Sequence, residues 1–256
     1  MSTVSAVVIA HGAGGAAHLR QSLPALQPQV DELVVIANTP GSVGDVAEEV
    51  RVIHNREPLG YAENANLGIH ATSADYVIVS NTDVVPEPDC VATLVEFADA
   101  HPRCGVAGPK LLNPDGSIQA SRRRFPTIAN TLVRRSPLRR LFPPLDCQRR
   151  HYMLDEQVEE PMQVDTMLGA FLLCRRTMLE ELGGWDPKYR LYIEDIDLTY
   201  RAMKAGWERW WVPRAVAYHE WQRVSDRRLL SQRSWWHTRS MVRFLRKHPE
   251  RLRALR

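Results

Sequence analysis

Asp83 closes the run Tyr76-Val77-Ile78-Val79-Ser80-Asn81-Thr82-Asp83, and far downstream Glu194 and Asp195 open Glu194-Asp195-Ile196-Asp197-Leu198. A carboxylate at the carboxyl end of a buried strand stands where α/β sheets place ligands. A carboxylate pair at a helix start faces backbone N–H groups and a dipole that favour negative charge. One site suits a cation holding a charged leaving group, the other a general base, which together make the parts of a group-transfer enzyme. His219 closes the strand-like run Ala215–His219. Asp197 reads as a helix-surface carboxylate or one standing behind the base.

Elements able to position these groups are visible in the apolar pattern. Val4–Ala10, Leu33–Ala37, Val50–Ile53 and Tyr76–Ser80 read as short strands. Between them Ala17–Leu26, Val43–Glu49 and Ala62–Ala71 read as helices, an alternation that argues for a largely parallel α/β sheet. Asp89 is placed to cap a helix running to Ala100, Gly105–Leu112 reads as a strand, and Asn113-Pro114-Asp115-Gly116 as a turn into Ile118–Ser121. From Arg122 to Pro161 the chain is rich in Arg and Pro with no clean period, an irregular excursion. Strand Leu168–Cys174, helix Arg176–Leu182, helix Glu194–Ala205 and strands Trp207–Val212 and Ala215–His219 follow, then a basic helical tail from Asp226.

With 44% hydrophobic and 25% charged residues in 256, the composition is that of a globular protein with a substantial core. No apolar run is long enough to span a membrane, and no signal peptide is evident before Val4–Ala10. Cys90, Cys104, Cys147 and Cys174 are spaced neither as zinc ligands nor as a disulfide framework, so thiols of a cytoplasmic protein are expected. The net charge of +3 hides two basic stretches: Arg122–Arg150 holds 9 arginines against Asp146 alone, and Arg223–Arg256 holds 11 Lys/Arg against 2 acids. Such clusters suit nucleic acid, anionic lipid or a phosphorylated ligand, or are solvated faces. No nucleic-acid fold motif or aromatic platform accompanies them. In the tail, Trp235, Trp236, Met241, Val242, Phe244 and Leu245 alternate with Arg239, Arg243, Arg246 and Lys247, which fits either a helix lying on anionic lipid or one packed on the catalytic domain.

Gly12-Ala13-Gly14-Gly15-Ala16-Ala17 also matches the loose dinucleotide fingerprint, which would make the chain an NAD-binding oxidoreductase. That chemistry needs an acid at the end of the second strand, where Ala37-Asn38 stands instead. His11-Gly12-Ala13-Gly14-Gly15 is like a hydrolase oxyanion loop, but Pro40-Gly41-Ser42-Val43-Gly44 has proline where a nucleophile elbow needs glycine.

In order, the chain carries Leu59-Gly60-Tyr61-Ala62-Glu63-Asn64-Ala65-Asn66-Leu67-Gly68-Ile69, Ser80-Asn81-Thr82-Asp83-Val84, Gly169-Ala170-Phe171-Leu172-Leu173, Gly184-Trp185-Asp186, Tyr192-Ile193-Glu194-Asp195-Ile196-Asp197-Leu198 and Tyr218-His219. With these motifs it resembles the inverting family 2 glycosyltransferases of the GT-A fold, particularly their rhamnosyltransferase-like branch. The resemblance implies an α/β, Rossmann-like mixed sheet flanked by helices, with a basic C-terminal helical tail. It implies transfer of a sugar, dTDP-L-rhamnose favoured as donor, to a hydroxyl of a glycan or lipid-linked acceptor. Asp195 is then the general base with Glu194 beside it, and Asp83 with His219 holds Mg2+ or Mn2+. His11, Asn38, Gly60, Tyr61, Asn66, Asn81, Thr82 and Asp83 would line the nucleotide sugar, and Gly169, Ala170, Trp185 and Asp186 the acceptor.

The expected organisation is a catalytic domain over 1–222 and a basic tail over 223–256. Within the domain, 1–121 is the nucleotide-sugar half, 122–162 the irregular excursion and 163–222 the acceptor half. The expected location is the cytoplasm, with the tail able to meet the inner face of an anionic membrane. Departures from the family pattern fall in the nucleobase pocket: His11-Gly12 replaces an aromatic and an asparagine, and Ala37-Asn38 an aspartate. A catalytically degenerate sugar-nucleotide or glycan-binding module is therefore the alternative.

Overall fold

The computed structural model describes residues 2–45, 50–127, 145–156, 158–220 and 232–253. Its order begins β1 (Val4–Ala10), α1 (Gly15–Leu26), β2 (Glu32–Ala37), β3 (Arg51–His54), α2 (Tyr61–His70), β4 (Tyr76–Asn81), β5 (Val84–Pro86), α3 (Cys90–Ala100) and β6 (Cys104–Leu112). It continues with β7 (Arg122–Arg123), α4 (Asp146–His151), β8 (Met162–Gln163), β9 (Thr166–Met167), β10 (Phe171–Arg175), α5 (Arg176–Leu182), α6 (Glu194–Lys204), β11 (Glu208–His219), α7 (Gln232–Lys247) and α8 (Glu250–Arg253).

The main sheet runs β3-β2-β1-β4-β10-β6-β11-β5, with β8 also on β11. β3, β2, β1 and β4 are parallel, β10 runs antiparallel to both β4 and β6, and β11 is parallel to β6. Central strands are apolar at most positions because both faces are covered, and the period of two sorts their side chains. Val4, Ala6, Val8, Tyr76, Ile78, Phe171 and Leu173 point to the face covered by α1 and α3. Val7, Ile9, Val77, Val79, Leu172 and Cys174 point to the face covered by α2, α5 and α6. A smaller cluster of Phe125, Tyr189, Ile193, Ile196, Tyr200 and Phe244 seats the tail helix α7 on α6.

The cysteines are free; Cys90, Cys104 and Cys174 are buried, which pushes each thiol up to about 12. No helix among the described residues is long and apolar enough to cross a membrane.

Several expected elements change. Residues 43–45 are not helical, and 46–49 lie outside the described residues. Asp89 precedes α3 but makes no side-chain cap, its backbone being left-handed at φ 63°. Ile118 makes a single bridge to Leu112 in place of a return strand. The strands expected at 207–212 and 215–219 are one strand, broken in register between Val212 and Val216. In the Arg/Pro-rich excursion β7 and α4 are ordered elements, and 128–144 lies outside the described residues. The tail helix begins at Gln232, the residues from 221 to 231 again being outside.

Candidate active site

Asp83 and His219 meet because of strand register. β4 ends at Asn81, the chain turns into β5, and β5 pairs with β11 so that Val84 faces His219. The Glu220 N–H then donates to the Asp83 carbonyl at 3.0 Å, and His219 Nε2 lies 3.6 Å from Asp83 Oδ1. On its other side His219 Nδ1 is 2.9 Å from Gln119 Oε1, while Gln119 Nε2 donates to the His219 carbonyl at 2.7 Å and to Asn113 Oδ1 at 2.9 Å. Those two acceptors fix which end of the Gln119 amide is oxygen, so Nδ1 carries the imidazole proton and Nε2 presents its lone pair to Asp83. Burial pushes the Asp83 carboxyl up and the His219 imidazole down, partly offset by their mutual attraction. A neutral imidazole lone pair facing a carboxylate is two acceptors with no proton between them, an arrangement that suits a cation. A cavity of about 440 Å³ opens beside Asp83, lined by His18, Gln21, Thr82, Tyr218 and Glu220 among others.

Asp195 sits at the start of α6, just after two consecutive left-handed residues, Tyr192 (φ 67°) and Ile193 (φ 72°). A β-branched residue there is strained, and such strain persists only where the surroundings impose it. It aims the acid pair at the loop before β10. Asp195 Oδ2 accepts the Gly169 N–H at 3.1 Å, and Oδ1 accepts the Ile196 N–H at 2.8 Å. Burial raises the Asp195 carboxyl, opposed by the Arg123 cation and these N–H bonds. Buried Glu194 is raised well above the usual range, by burial first and then by the Asp195 charge, and its Oε2 makes no hydrogen bond. Burial thus raises both neighbouring acids; the Arg123 cation and two N–H bonds oppose it at Asp195, while the Asp195 charge adds to it at Glu194.

Backbone bonds join the two carboxylate sites. Gly169 N–H reaches Asp195, the Ala170 carbonyl accepts the Asn81 N–H at 2.9 Å, and Asp83 follows two residues later. Tyr61 at the start of α2 closes the centre, its O–H donating to the Gly169 carbonyl at 2.8 Å. Its phenol is pushed well up by burial and then by the charges of Glu194, Asp195 and Asp83.

This acid-lined cleft at the carboxyl end of β4 lies inside the span matched by the model of "Glycosyltransferase like family 2", residues 17–242. The chain belongs to that family. Within glycosyltransferase family 2 it is similar to the rhamnosyltransferase-like branch. It is 33% identical over 194 residues to "N-acetylglucosaminyl-diphospho-decaprenol L-rhamnosyltransferase" of Mycobacterium tuberculosis, a match covering 71% of this chain and 62% of that protein. It is 24% identical to "Rhamnosyltransferase WbbL" of Escherichia coli K12, covering 73% and 70% respectively. The chain thus spans about three fifths of the length of the mycobacterial relative. Among solved structures it is similar to GalNAc-T7 with UDP, GalNAc and Mn2+, at TM-score 0.65 and 16% identity over 96% of this chain and 48% of that one. It is also similar to the mannosyltransferase PcManGT of Pyrobaculum calidifontis with GDP-Man and Mn2+, at TM-score 0.58 and 16% identity over 97% and 64%. These likenesses show the GT-A fold. Family membership displaces the oxidoreductase and hydrolase alternatives.

Several residues expected to touch ligand are committed to this chain's own scaffold. Asn38, 5% exposed, donates to His11 Nδ1 at 3.1 Å and to the Leu59 carbonyl at 3.1 Å, and accepts from Asn55 at 2.9 Å and from the Leu59 N–H at 2.8 Å. Both donors and both acceptor positions are used, so Asn38 positions His11 and the Leu59-Gly60 turn and has no capacity left for a nucleobase. Asn66 bonds both backbone groups of Trp185, at 2.8 and 2.9 Å, which ties α2 to the 184–186 loop. Trp185 is fully buried with no ring face for a sugar, and Asp186 pairs with Lys247 at 2.7 Å. Ala170 is buried in the core. A Cβ on Gly60 would meet the Arg190 backbone at 2.9 Å, so that glycine serves chain-to-chain approach. Gly169 stays beside Asp195, where a Cβ would crowd Asp195 Cβ at 3.1 Å. Thr82 and Asp83 line the cavity, while His11 is exposed and Asn81 half-buried.

Asp197 is neither on a surface nor behind Asp195. It is fully buried and takes Arg201 Nε at 2.7 Å, Lys247 Nζ at 2.9 Å, His248 Nε2 at 2.9 Å and the Tyr189 hydroxyl at 3.2 Å. Two site residues carried no sequence signal. Gln119 lay in an expected plain strand, and Arg123 was one arginine among nine.

Proposed function

We propose that this chain is an inverting glycosyltransferase that moves a sugar from a nucleoside diphosphate to an acceptor hydroxyl, with dTDP-L-rhamnose the favoured donor and a glycan or lipid-linked saccharide the acceptor. The observation that carries it is the bonded path from Asp83 through Ala170 and Gly169 to Asp195, which holds a cation-type site and a base on one cleft. The rhamnosyltransferase relatives support the donor and the acceptor class.

Asp195 would take the proton of the acceptor oxygen as it attacks the anomeric carbon on the face opposite the diphosphate. Its raised pKa makes it a stronger base than an exposed aspartate, while the N–H bonds from Gly169 and Ile196 fix its direction. Glu194, raised by burial and by the Asp195 charge, takes a proton more readily than an exposed glutamate. Tyr61 holds the Gly169 carbonyl, and with it the N–H that orients the base. Asp83 Oδ1 and His219 Nε2 would hold Mg2+ or Mn2+, which when bound supplies Lewis-acid stabilisation of the departing diphosphate. No cluster of three or more acidic, His or Cys ligands is present among the described residues. Two protein ligands fit a cation that completes its shell with diphosphate oxygens and water.

The test is calorimetric titration of the purified protein with dTDP, UDP and GDP, each with Mn2+ and with EDTA. Metal-dependent binding of dTDP above the others is expected. A folded protein that binds none of the three would overturn the proposal and leave the degenerate module, which the loss of an acid at Ala37-Asn38 favours.

A further inference from the structure

The tail helix α7 has two faces with different chemistry. Its inner face docks through Ser240, Met241, Phe244 and Leu245, and the following His248. Opposite it, Trp235, Arg239, Val242 and Arg246 fall at i, i+4, i+7 and i+11, one outward stripe of alternating apolar and cationic side chains. Trp235 is 56% exposed and Val242 43%. Beside this stripe a groove of about 1110 Å³ runs between α7 and the loop Pro187–Arg190.

Cations line the groove from both walls: Lys188 and Arg190 from the loop, and Arg239, Arg243, Arg246 and Lys247 from the helix. The lining carboxylate is Glu63, already bonded to the Gly60 N–H at 2.8 Å. Arg243 and Lys247 face Asp186, but Lys188, Arg239 and Arg246 make no ion pair among the described residues. Arg190 lies over the Trp236 ring at 5.3 Å and Arg239 over the Trp235 ring at 5.4 Å. A stacked guanidinium keeps its in-plane N–H edge for an oxyanion. The loop also belongs to the active site, since the Arg190 carbonyl accepts the Tyr61 N–H at 3.0 Å and the chain runs on through Tyr192 and Ile193 to Glu194.

We propose that this groove binds the diphosphate of a lipid-linked acceptor, with Trp235 and Val242 carrying the first part of its hydrocarbon chain. The assignment rests on the glycosyltransferase function proposed above. Cations converging from two walls suit a compact polyanion better than a flat bilayer, and the exposed indole and valine beside them suit an amphiphile better than a free anion. The relative named for a diphospho-decaprenol substrate supports that ligand chemistry.

The test titrates the full chain, saturated with dTDP and Mn2+, with farnesyl diphosphate, inorganic diphosphate and farnesol, and separately with phosphatidylcholine vesicles with and without phosphatidylglycerol. Occupying the donor site first keeps the probe's diphosphate out of it. Farnesyl diphosphate should bind more tightly than either of its halves. Arg239→Ala/Arg246→Ala should weaken it at least about tenfold, the loss of two charge-assisted contacts at a part-exposed site, with dTDP affinity unchanged. Lys188→Ala, on the opposite wall, should weaken it as well and serves if the double variant unfolds. Equal affinity in folded variants, or binding to phosphatidylglycerol vesicles without binding of farnesyl diphosphate, would overturn the proposal. Failure of all nucleotides to bind would instead count against the glycosyltransferase function, and the lipid titration would then be read without nucleotide.

Discussion

Gln119→Met tests whether the cation site depends on a fixed imidazole tautomer. Methionine matches the length of glutamine but removes the acceptor 2.9 Å from His219 Nδ1 and the donor 2.7 Å from the His219 carbonyl. His219 is buried, so its Nδ1–H loses its partner without gaining water, at a cost of about 1–3 kcal/mol. The ring can recover by carrying its proton on Nε2, where Asp83 Oδ1 at 3.6 Å would accept it. That same shift converts the proposed ligand atom into a donor. Changes in the group that orients a metal-binding histidine typically cost about tenfold to a hundredfold in affinity, or about 1.4–2.7 kcal/mol. Mn2+ titration by electron paramagnetic resonance, with dTDP present, should show a loss in that range, and thermal unfolding should show a folded but less stable protein. Gln119→Glu keeps an acceptor for Nδ1–H and should retain more of the affinity. A folded Gln119→Met protein with wild-type Mn2+ affinity would refute the tautomer argument.

Other outcomes follow from the same geometry. Asp195→Asn keeps the shape and the acceptor for Gly169 N–H but removes the base; kcat should fall about a hundred- to ten-thousandfold with dTDP affinity unchanged. Arg123 holds the Asp195 carboxyl down against burial, and the base acts ionised, so Arg123→Ala should move the acid limb of kcat/KM to higher pH; a limb that stays or moves down contradicts this. Asp197→Asn leaves Arg201, Lys247 and His248 without their buried counter-charge, and urea unfolding should show a loss of about 3–5 kcal/mol. Those partners depress the folded Asp197 carboxyl far below its ordinary value despite burial. Its contribution is therefore present above the unfolded carboxylate pKa and lost as pH falls toward the folded one, and the variant should lose that part of the acid dependence.

The strands, and the helices that carry the acids, were legible because period-two runs buried on both faces leave a plain apolar signature. The motif order likewise pointed to Asp83, Asp195 and His219. Partner choice was not legible. Asn38 reads as a pocket residue from its place after β2, yet four local bonds consume it. Trp185 reads as a sugar platform and is core. The Leu168–Cys174 run reads as one strand, but Leu168 and Gly169 lie outside the ladder and Gly169 meets Asp195, a contact set by a helix more than twenty positions away. In the tail, composition could not separate lipid from packing. The structure divides the residues, with Met241, Phe244 and Leu245 inward and Trp235 and Val242 outward.

The place of β10 in the sheet bears on how the chain can be made and cut. This strand arrives late in sequence yet lies at the centre, between β4 and β6. During synthesis the parallel group β3-β2-β1-β4 can assemble, but the Tyr76–Asn81 edge stays open until Phe171–Arg175 emerges. An open apolar edge of that kind pairs readily with another chain, and its native closure is a long-range contact that forms slowly. Chains truncated before Phe171 should therefore aggregate, and refolding should be limited by insertion of this one strand. Because the same strand's entry carries Gly169, the step that closes the sheet also delivers the N–H that aims Asp195, so the catalytic geometry arises only when folding is complete.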